Sequence, residues 1–484
     1  MLFHTWVFLV FFAIVYPVYL LVRKNNAWMN IWLMIASYVF YGWWNPAYLA
    51  LLFGTSAIDY LMVLLMERSE TPARRKLWLI ISLVSNFGFL GYFKYSGFIT
   101  ENLNWIFAHA GMAFHLPDPI AYPNAILSAA GVPATDLFSR VILPIGISFH
   151  TFQSMSYTID AYQKNIETER SFVRFLTFVS FFPQLVAGPI ERAGNLLPQL
   201  QRTPQIHEED VTDGLSLFLV GFFKKVALAD YLALYVDKIY GSPAEYQSPA
   251  LILATVAFAW QIYFDFSGYT DMARGIAQVM GFKLMLNFNN PYVATGLGDF
   301  WGRWHISLST WFKDYVYFPL GGSRRGTLIT YRNILITMIV SGIWHGAAWT
   351  YIIWGALHAV GRVLTYELER SATYREKIPT FLKQLAVFAF VCFAWIFFRA
   401  SSTADAWLVI TRIFSSGWGD PQFPVLMGIL IAAVWMYQLM YSSPTRFKNF
   451  LDMPAVRVGL AMTMIVYLAI VAQPGSKAFI YFQF

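Results

Sequence analysis

Runs of about 17 to 25 apolar residues recur along the whole chain, the length a helix needs to cross roughly 30 Å of hydrocarbon. Inside lipid a backbone amide has no water to bond, so such runs fold as helices that close their hydrogen bonds internally. The first four read as Trp6–Val22, Trp28–Trp44, Tyr48–Met66 and Leu77–Tyr95. Composition agrees, with 57% of the 484 residues hydrophobic and 13% charged. The expected fold class is all-α, a polytopic membrane protein of about eleven transmembrane helices with one or two re-entrant or interfacial helices. Residues 1–484 are expected to form a single integral-membrane domain. Arg23, Lys24 and a second spanning run follow Trp6–Val22 without a small-residue cleavage site, so this first run is expected to stay in the mature protein.

The charges set an orientation. Arg23 and Lys24 separate the first two runs, and Arg68, Arg74, Arg75 and Lys76 separate the third and fourth. The alternate connections are Asn45–Pro46 and Ser96–Asp136, the latter with Glu101, Asp118 and Asp136 but no lysine or arginine. Positive loops stay cytoplasmic, which puts the N-terminus outside and makes Ser96–Asp136 an extracytoplasmic excursion with an interfacial helix near Asn104–Phe114. The net charge of +7 lies in these short loops and does not signal a nucleic-acid partner. One cysteine, Cys392, excludes an intrachain disulfide, and its place in an apolar helix makes it a packing residue rather than a reactive thiol.

Further along, Val141–Ile159 is rich in Ser, Thr and Gly, residues that let helices approach and hydrogen-bond in lipid. Phe172–Ala187 ends in FFPQLVAGPIERA, where Pro183, Gly188 and Pro189 should break the helix beside a protein-covered cavity. Gly214–Val236 carries Lys224, Lys225 and Asp230 and is expected in the interface or with its lysines snorkelling. Leu251–Phe264 runs into YFDFSGYTDMARG, read as a turn in which Asp265 and Asp271 cap and pin helices, the alternative being carboxylates that serve chemistry. Later spans are expected at Leu385–Phe398, Val425–Tyr441 and Val458–Val471.

Two of the eight histidines, His305 and His345, draw the chemistry. His345 lies in an apolar run, where an ionisable group is costly and is a functional candidate by default. Neutral imidazole is suited to take a proton from a hydroxyl; the alternative is a hydrogen-bonded core residue. His305 lies in FWGRWHISLSTWFKDY, whose Arg303, Lys313 and Asp314 are too polar to face lipid. No HExxH, clustered cysteine or third ligand accompanies the pair, so no metal and no bound cofactor is expected. Ser307, Ser309 and Thr310 lack a nucleophile elbow and read as hydrogen-bonding and packing residues. GGSRRG, residues 321–326, is either a positive-inside turn or a loop that meets phosphates. Aromatics at 19% exceed what interface belts require, and some should line a cavity.

The words LPIGISFHTFQSMSYTIDAY (143–162), FFPQLVAGPI (181–190), YFDFSGYTDMARG (263–275), NFNNPY (287–292), FWGRWHISLSTWFKDYVYFPLGGSRRG (300–326) and SGIWHGAAWTYIIWGALH (341–358) resemble the membrane-bound O-acyltransferases, in particular the branch of bacterial alginate O-acetyltransferases. IASYVFYGWW (35–44) and FIYFQF (479–484) look like this branch too, whereas His150 stands where it often has tyrosine. The resemblance implies a helical bundle around a central tunnel in a bacterial inner membrane, with the family's invariant histidine at His345 and its second polar position at His305. It also implies acetyl-CoA as the cytoplasmic donor and an exopolysaccharide such as alginate as the acceptor, reached directly or through an extracytoplasmic acetyltransferase partner. Arg324, Arg325 and Arg303 are then the candidates for donor binding, since guanidinium groups suit phosphate oxygens. A D-alanyl transferase for teichoic acids, fed by an acyl carrier protein, is the alternative within the family. A secondary transporter would also explain many spans and broken helices, but no inverted repeat is visible.

Overall fold

A computed structural model describes residues 1–120, 125, 128–129, 144–442, 446–451, 453–471 and 479–480. Val141, Leu143, Asp136 and most of FIYFQF lie outside the described residues. Among those described, the secondary structure is helical throughout, with no strand. Five helices are long and apolar enough to cross a membrane, Tyr48–Glu67, Pro72–His109, Ser248–Val279, Thr327–His345 and Thr380–Arg399, and three shorter apolar helices accompany them. The count of about eleven reached by the span-length rule is not attained among the described residues. The chain forms two compact units, one of residues 1–214 with 276–285 and one of residues 215–275 with 286–484.

In the first unit, α1 (Trp6–Val22), α2 (Asn26–Gly42), α3 (Tyr48–Glu67) and α4 (Pro72–His109) follow the apolar runs. Side chains satisfy their exposed first-turn amides: Asn25 accepts from Ala27 and Trp28 and Thr71 from Arg74, the usual chemistry of an N-cap. The fourth helix departs from expectation. It does not end near Tyr95 but continues through a π-turn at Gly91–Tyr95 to His109, because Ser96, Glu101 and Asn102 are tolerated within a helix that the extra residue of a π-turn re-aims.

Helices α3 and α4 are joined to α5 (Ile147–Gln163) by one buried carboxylate. Asp59, fully buried, accepts from Ser82 at 2.6 Å, from Asn86 at 2.8 and 2.9 Å and from Ser154 of α5. Four hydrogen bonds from three donor side chains compensate the desolvation that an isolated acid would suffer. Beyond α6 (Phe172–Ser180) the helix breaks where Pro183 and Gly188 were expected to break it. Its freed groups find partners: Gln153 and Gln184 both donate to the Phe178 carbonyl, at 2.7 and 2.8 Å, and the Phe182 amide donates to Ser37 at 3.0 Å. Non-helical backbone is thus kept inside protein.

The helix α7 (Ser248–Val279), whose residues 248–275 belong to the second unit, runs unbroken through YFDFSGYTDMARG, so the expected turn is a helix interior. The glycine serves packing instead. A Cβ on Gly268 would lie 2.7 Å from the Gly221 carbonyl oxygen, and one on Gly221 2.5 Å from that of Gly268. The two acids do pin helices, but through ion pairs: Lys224 bonds Asp271 at 2.6 Å, and Lys225 bonds Asp265 at 2.6 Å and Asp230 at 2.8 Å. The lysines therefore do not snorkel. Lys225 and Asp265 are about as buried as any core residue.

Candidate active site

Both candidate histidines belong to the second unit, and each sits at a helix end rather than within a helix. His305 immediately precedes α8 (Ile306–Phe312) and adopts the left-handed conformation, φ 43°, which costs a branched or ring-bearing residue and persists only where surroundings impose it. Two backbone bonds impose it here, Asn289 N–H to Arg303 O and Ile306 N–H to Asn287 O, both 2.9 Å.

Asn287 fixes the imidazole as well. Its Oδ1 accepts from the Ser307 amide at 3.2 Å and the Ser307 hydroxyl at 2.9 Å, and lies 3.0 Å from His305 Nδ1. A backbone N–H can only donate, so this atom is the amide oxygen, and Nδ1 must carry the ring proton. The lone pair of neutral His305 is then on Nε2. Asn287 was quoted from NFNNPY without a role. The signal was a polar residue between apolar neighbours, but its partner lies 18 residues away. Ser307 is confirmed as a hydrogen-bonding residue.

His345 is the last residue of α9 (Thr327–His345). Gly346 turns the backbone into an extended conformation before α10 (Trp349–Arg370) begins. The hairpin is tight, since a Cβ on Gly342 would meet the Tyr351 carbonyl at 2.3 Å and one on Gly355 the Met338 carbonyl at 2.5 Å. His345, 3% exposed, lies among Trp344, Trp354 and Phe398, with ring centroids at 5.0, 5.0 and 5.3 Å. His305 lies 6.1 Å from the same Trp344 and 4.6 Å from Phe266. One indole thus touches both imidazoles. A third histidine, His358, is fully buried 4.7 Å from Trp354, the other face of the His345 box, and was given no role in the sequence.

The arginines are placed differently. Arg303 is held by Asp299 at 2.5 Å and by the Asn289 carbonyl at 3.3 Å, so it braces the loop entering His305. Arg324 and Arg325 are exposed in the turn before α9, which Asn333 ties down by donating to Gly322 O at 2.9 Å. Gly321, Gly322 and Gly326 all have positive φ there, a geometry that favours glycine. The pair lies at the opposite end of a helix whose 19 residues span roughly 28 Å at 1.5 Å each.

The sequence model of the membrane-bound O-acyltransferase family matches residues 137–404, a stretch that contains both histidines. The chain is 39% identical to a probable alginate O-acetylase of Pseudomonas aeruginosa over 86% of its own length and 75% of the relative's. It is 35% identical to a peptidoglycan O-acetyltransferase of Helicobacter pylori, over 80% and 74%. A teichoic acid D-alanyltransferase of Bacillus subtilis is 30% identical over 52% of this chain and 68% of its own.

Proposed function

The chain belongs to the membrane-bound O-acyltransferase family, and from that premise we propose that it moves an acetyl group from cytoplasmic acetyl-CoA to a hydroxyl of an extracytoplasmic polysaccharide, with His345 as general base. That it is a multi-pass membrane O-acyltransferase follows from the family and from its apolar helices. The acetyl group and the glycan acceptor are supported by relatives named for alginate and for peptidoglycan that align over most of the chain. The D-alanyltransferase alignment covers only about half of it, which favours acetyl over alanyl.

The observation that carries the mechanism is the placement of His305 and His345 on one buried indole, Trp344. In the reaction the acceptor hydroxyl gives its proton to His345 as its oxygen bonds to the thioester carbonyl carbon. The carbon–sulfur bond then breaks, and the departing thiolate recovers the proton. His305 has its Nδ1 proton committed to Asn287, so Nε2 is an acceptor; it positions the acceptor by taking a hydrogen bond from a second, neighbouring hydroxyl of the glycan, rather than polarising the carbonyl. Enclosure by aromatic side chains limits hydrolysis of the thioester. Transfer proceeds to the polymer directly or through an extracytoplasmic partner, and a tunnel lets donor and acceptor reach one base from opposite sides.

The test is acetyl release from labelled acetyl-CoA, with mass spectrometry of the acceptor, for the wild type and for His345→Ala and His305→Ala proteins shown to be folded. A positioned base contributes about 10²- to 10⁴-fold, so His345→Ala should lose that much while donor still binds. Near-wild-type transfer by His345→Ala would make His305 the base instead.

A further inference from the structure

A cavity of about 410 Å³ lies in the first unit where α3 ends and α4 begins, and Met66, Glu67, Arg75, Lys164, Glu167 and Arg170 are among its lining residues. Both helices are long and apolar enough to cross a membrane, so their shared end marks the level at which hydrocarbon gives way to headgroups. The charges are unequal and partly spoken for. Arg170 and Glu67 neutralise each other in an ion pair of 2.6 Å. Arg75, Lys164 and Glu167 remain, a net charge of one positive.

The Arg75 guanidinium is positioned in advance. It donates to the Tyr162 carbonyl at 3.1 Å, approaches the Met66 carbonyl at 3.5 Å and lies 5.9 Å from the centroid of the Tyr162 ring, and a guanidinium held by two acceptors still has N–H groups to spare. Among the described residues the side chains of Lys164 and Glu167 make no hydrogen bond or ion pair, and both are exposed.

We propose that this cavity binds the headgroup of a phosphoglycerol lipid, the phosphodiester on Arg75 and Lys164 and the headgroup hydroxyls on Glu167. A phosphodiester carries one negative charge, which cancels the uncompensated positive one. A planar guanidinium beside a flexible ammonium is suited to phosphate oxygens, and a free carboxylate is an acceptor that hydroxyls can satisfy. The cavity's size lies within the range of small-molecule sites. Its position at the end of two spans lets the acyl chains remain in the hydrocarbon beside them. Basic residues cluster at this end, in Arg68, Arg74 and Lys76, as they do where anionic lipid is enriched.

The experiment follows the thermal unfolding midpoint of the full-length protein in neutral detergent by tryptophan fluorescence. Phosphatidylglycerol is compared with a phosphate-free glucosyl diacylglycerol of the same chains and with tail-less glycerol phosphate. A ligand that binds only the folded state raises Tm. Phosphatidylglycerol should raise it by several degrees and the other two by less than half as much. Lys164→Gln, which breaks no contact, should lose at least half of the shift with an unchanged Tm in detergent alone; Arg75→Gln should do the same from a lower starting Tm. An equal shift with the glycolipid, or an undiminished one in Lys164→Gln, overturns the proposal. An equal shift with glycerol phosphate assigns the site to a soluble phosphate instead and overturns the lipid assignment.

Discussion

Asn287 holds His305 by its Nδ1 at 3.0 Å while accepting twice from Ser307, so a single amide oxygen sets both the tautomer of the imidazole and the start of the helix that follows it. Replacing Asn287 by Ala removes the acceptor for three donors. Buried donors left without an acceptor cost about 1–3 kcal/mol each, and the imidazole is freed to rotate. Partners that orient a functional imidazole, as studied in metal sites, are worth roughly 10- to 100-fold, and a loss of that size in kcat is expected here. Asn287→Asp, which keeps the acceptor, should recover part of it. Steady-state transfer kinetics with a Tm for each variant make the check; equal kcat in the wild type and Asn287→Ala would remove Asn287 from the site.

Lys225 and Asp265 form an ion pair whose side chains are 4% and 3% exposed. Removing one partner leaves a buried charge uncompensated, which typically costs about 3–5 kcal/mol, whereas replacing both with apolar residues is often close to neutral. Lys225→Leu should therefore lower the Tm sharply, and the double variant Lys225→Leu/Asp265→Leu should regain part of the loss, the remainder being the Asp230 carboxylate that also loses its lysine. Thermal unfolding in detergent decides it. Additive losses would show that the pair contributes no coupling.

Arg324 and Arg325 stand a helix length from His345, so a donor that meets both would have to reach along α9. If they bind its phosphates, Arg324→Ala/Arg325→Ala should raise the donor KM several-fold with kcat and Tm unchanged. An unchanged KM leaves the pair as a positive-inside turn. Arg303, the third donor-binding candidate, also braces the loop through Asp299 and Asn289, so Arg303→Ala should lower kcat and Tm together and, if it binds donor, raise the donor KM as well.

Orientation is checked by labelling. A single cysteine introduced at Arg74 should react only with reagents that enter the cytoplasm, and one at Asp118 with impermeant reagent from outside. The reverse pattern would invert the chain in the membrane and with it the direction of transfer.

Much of the helical framework was legible because lipid forces apolar runs into helices: α1 and Trp6–Val22 coincide residue for residue. The break after Ser180 was legible for a similar reason, proline and glycine having few other uses there. What escaped depended on partners distant in sequence. The stretch around Gly268 looks like a turn because Ser, Gly and Thr favour turns locally, but Gly221, 47 residues earlier, turns that glycine into a helix-packing site. His345 and His305 stood out singly, by polarity, yet nothing in the order of residues announces that Trp344 joins them or that Asn287 orients one of them.

The lysine pair also bears on how the protein enters its membrane. Lys224 and Lys225 emerge from the ribosome about 40 residues before the Asp265 and Asp271 that neutralise them, so for that interval the segment carries two charges that lipid rejects. Its own Asp230 can offset one of them; the other has to wait at the water boundary or beside the insertion machinery. Insertion of this part of the chain is thereby a paired event, in which the helix Ser248–Val279 admits its predecessor, and the segment around Lys224 should be more accessible to protease in a nascent chain stopped before Asp265 than in one stopped after Asp271.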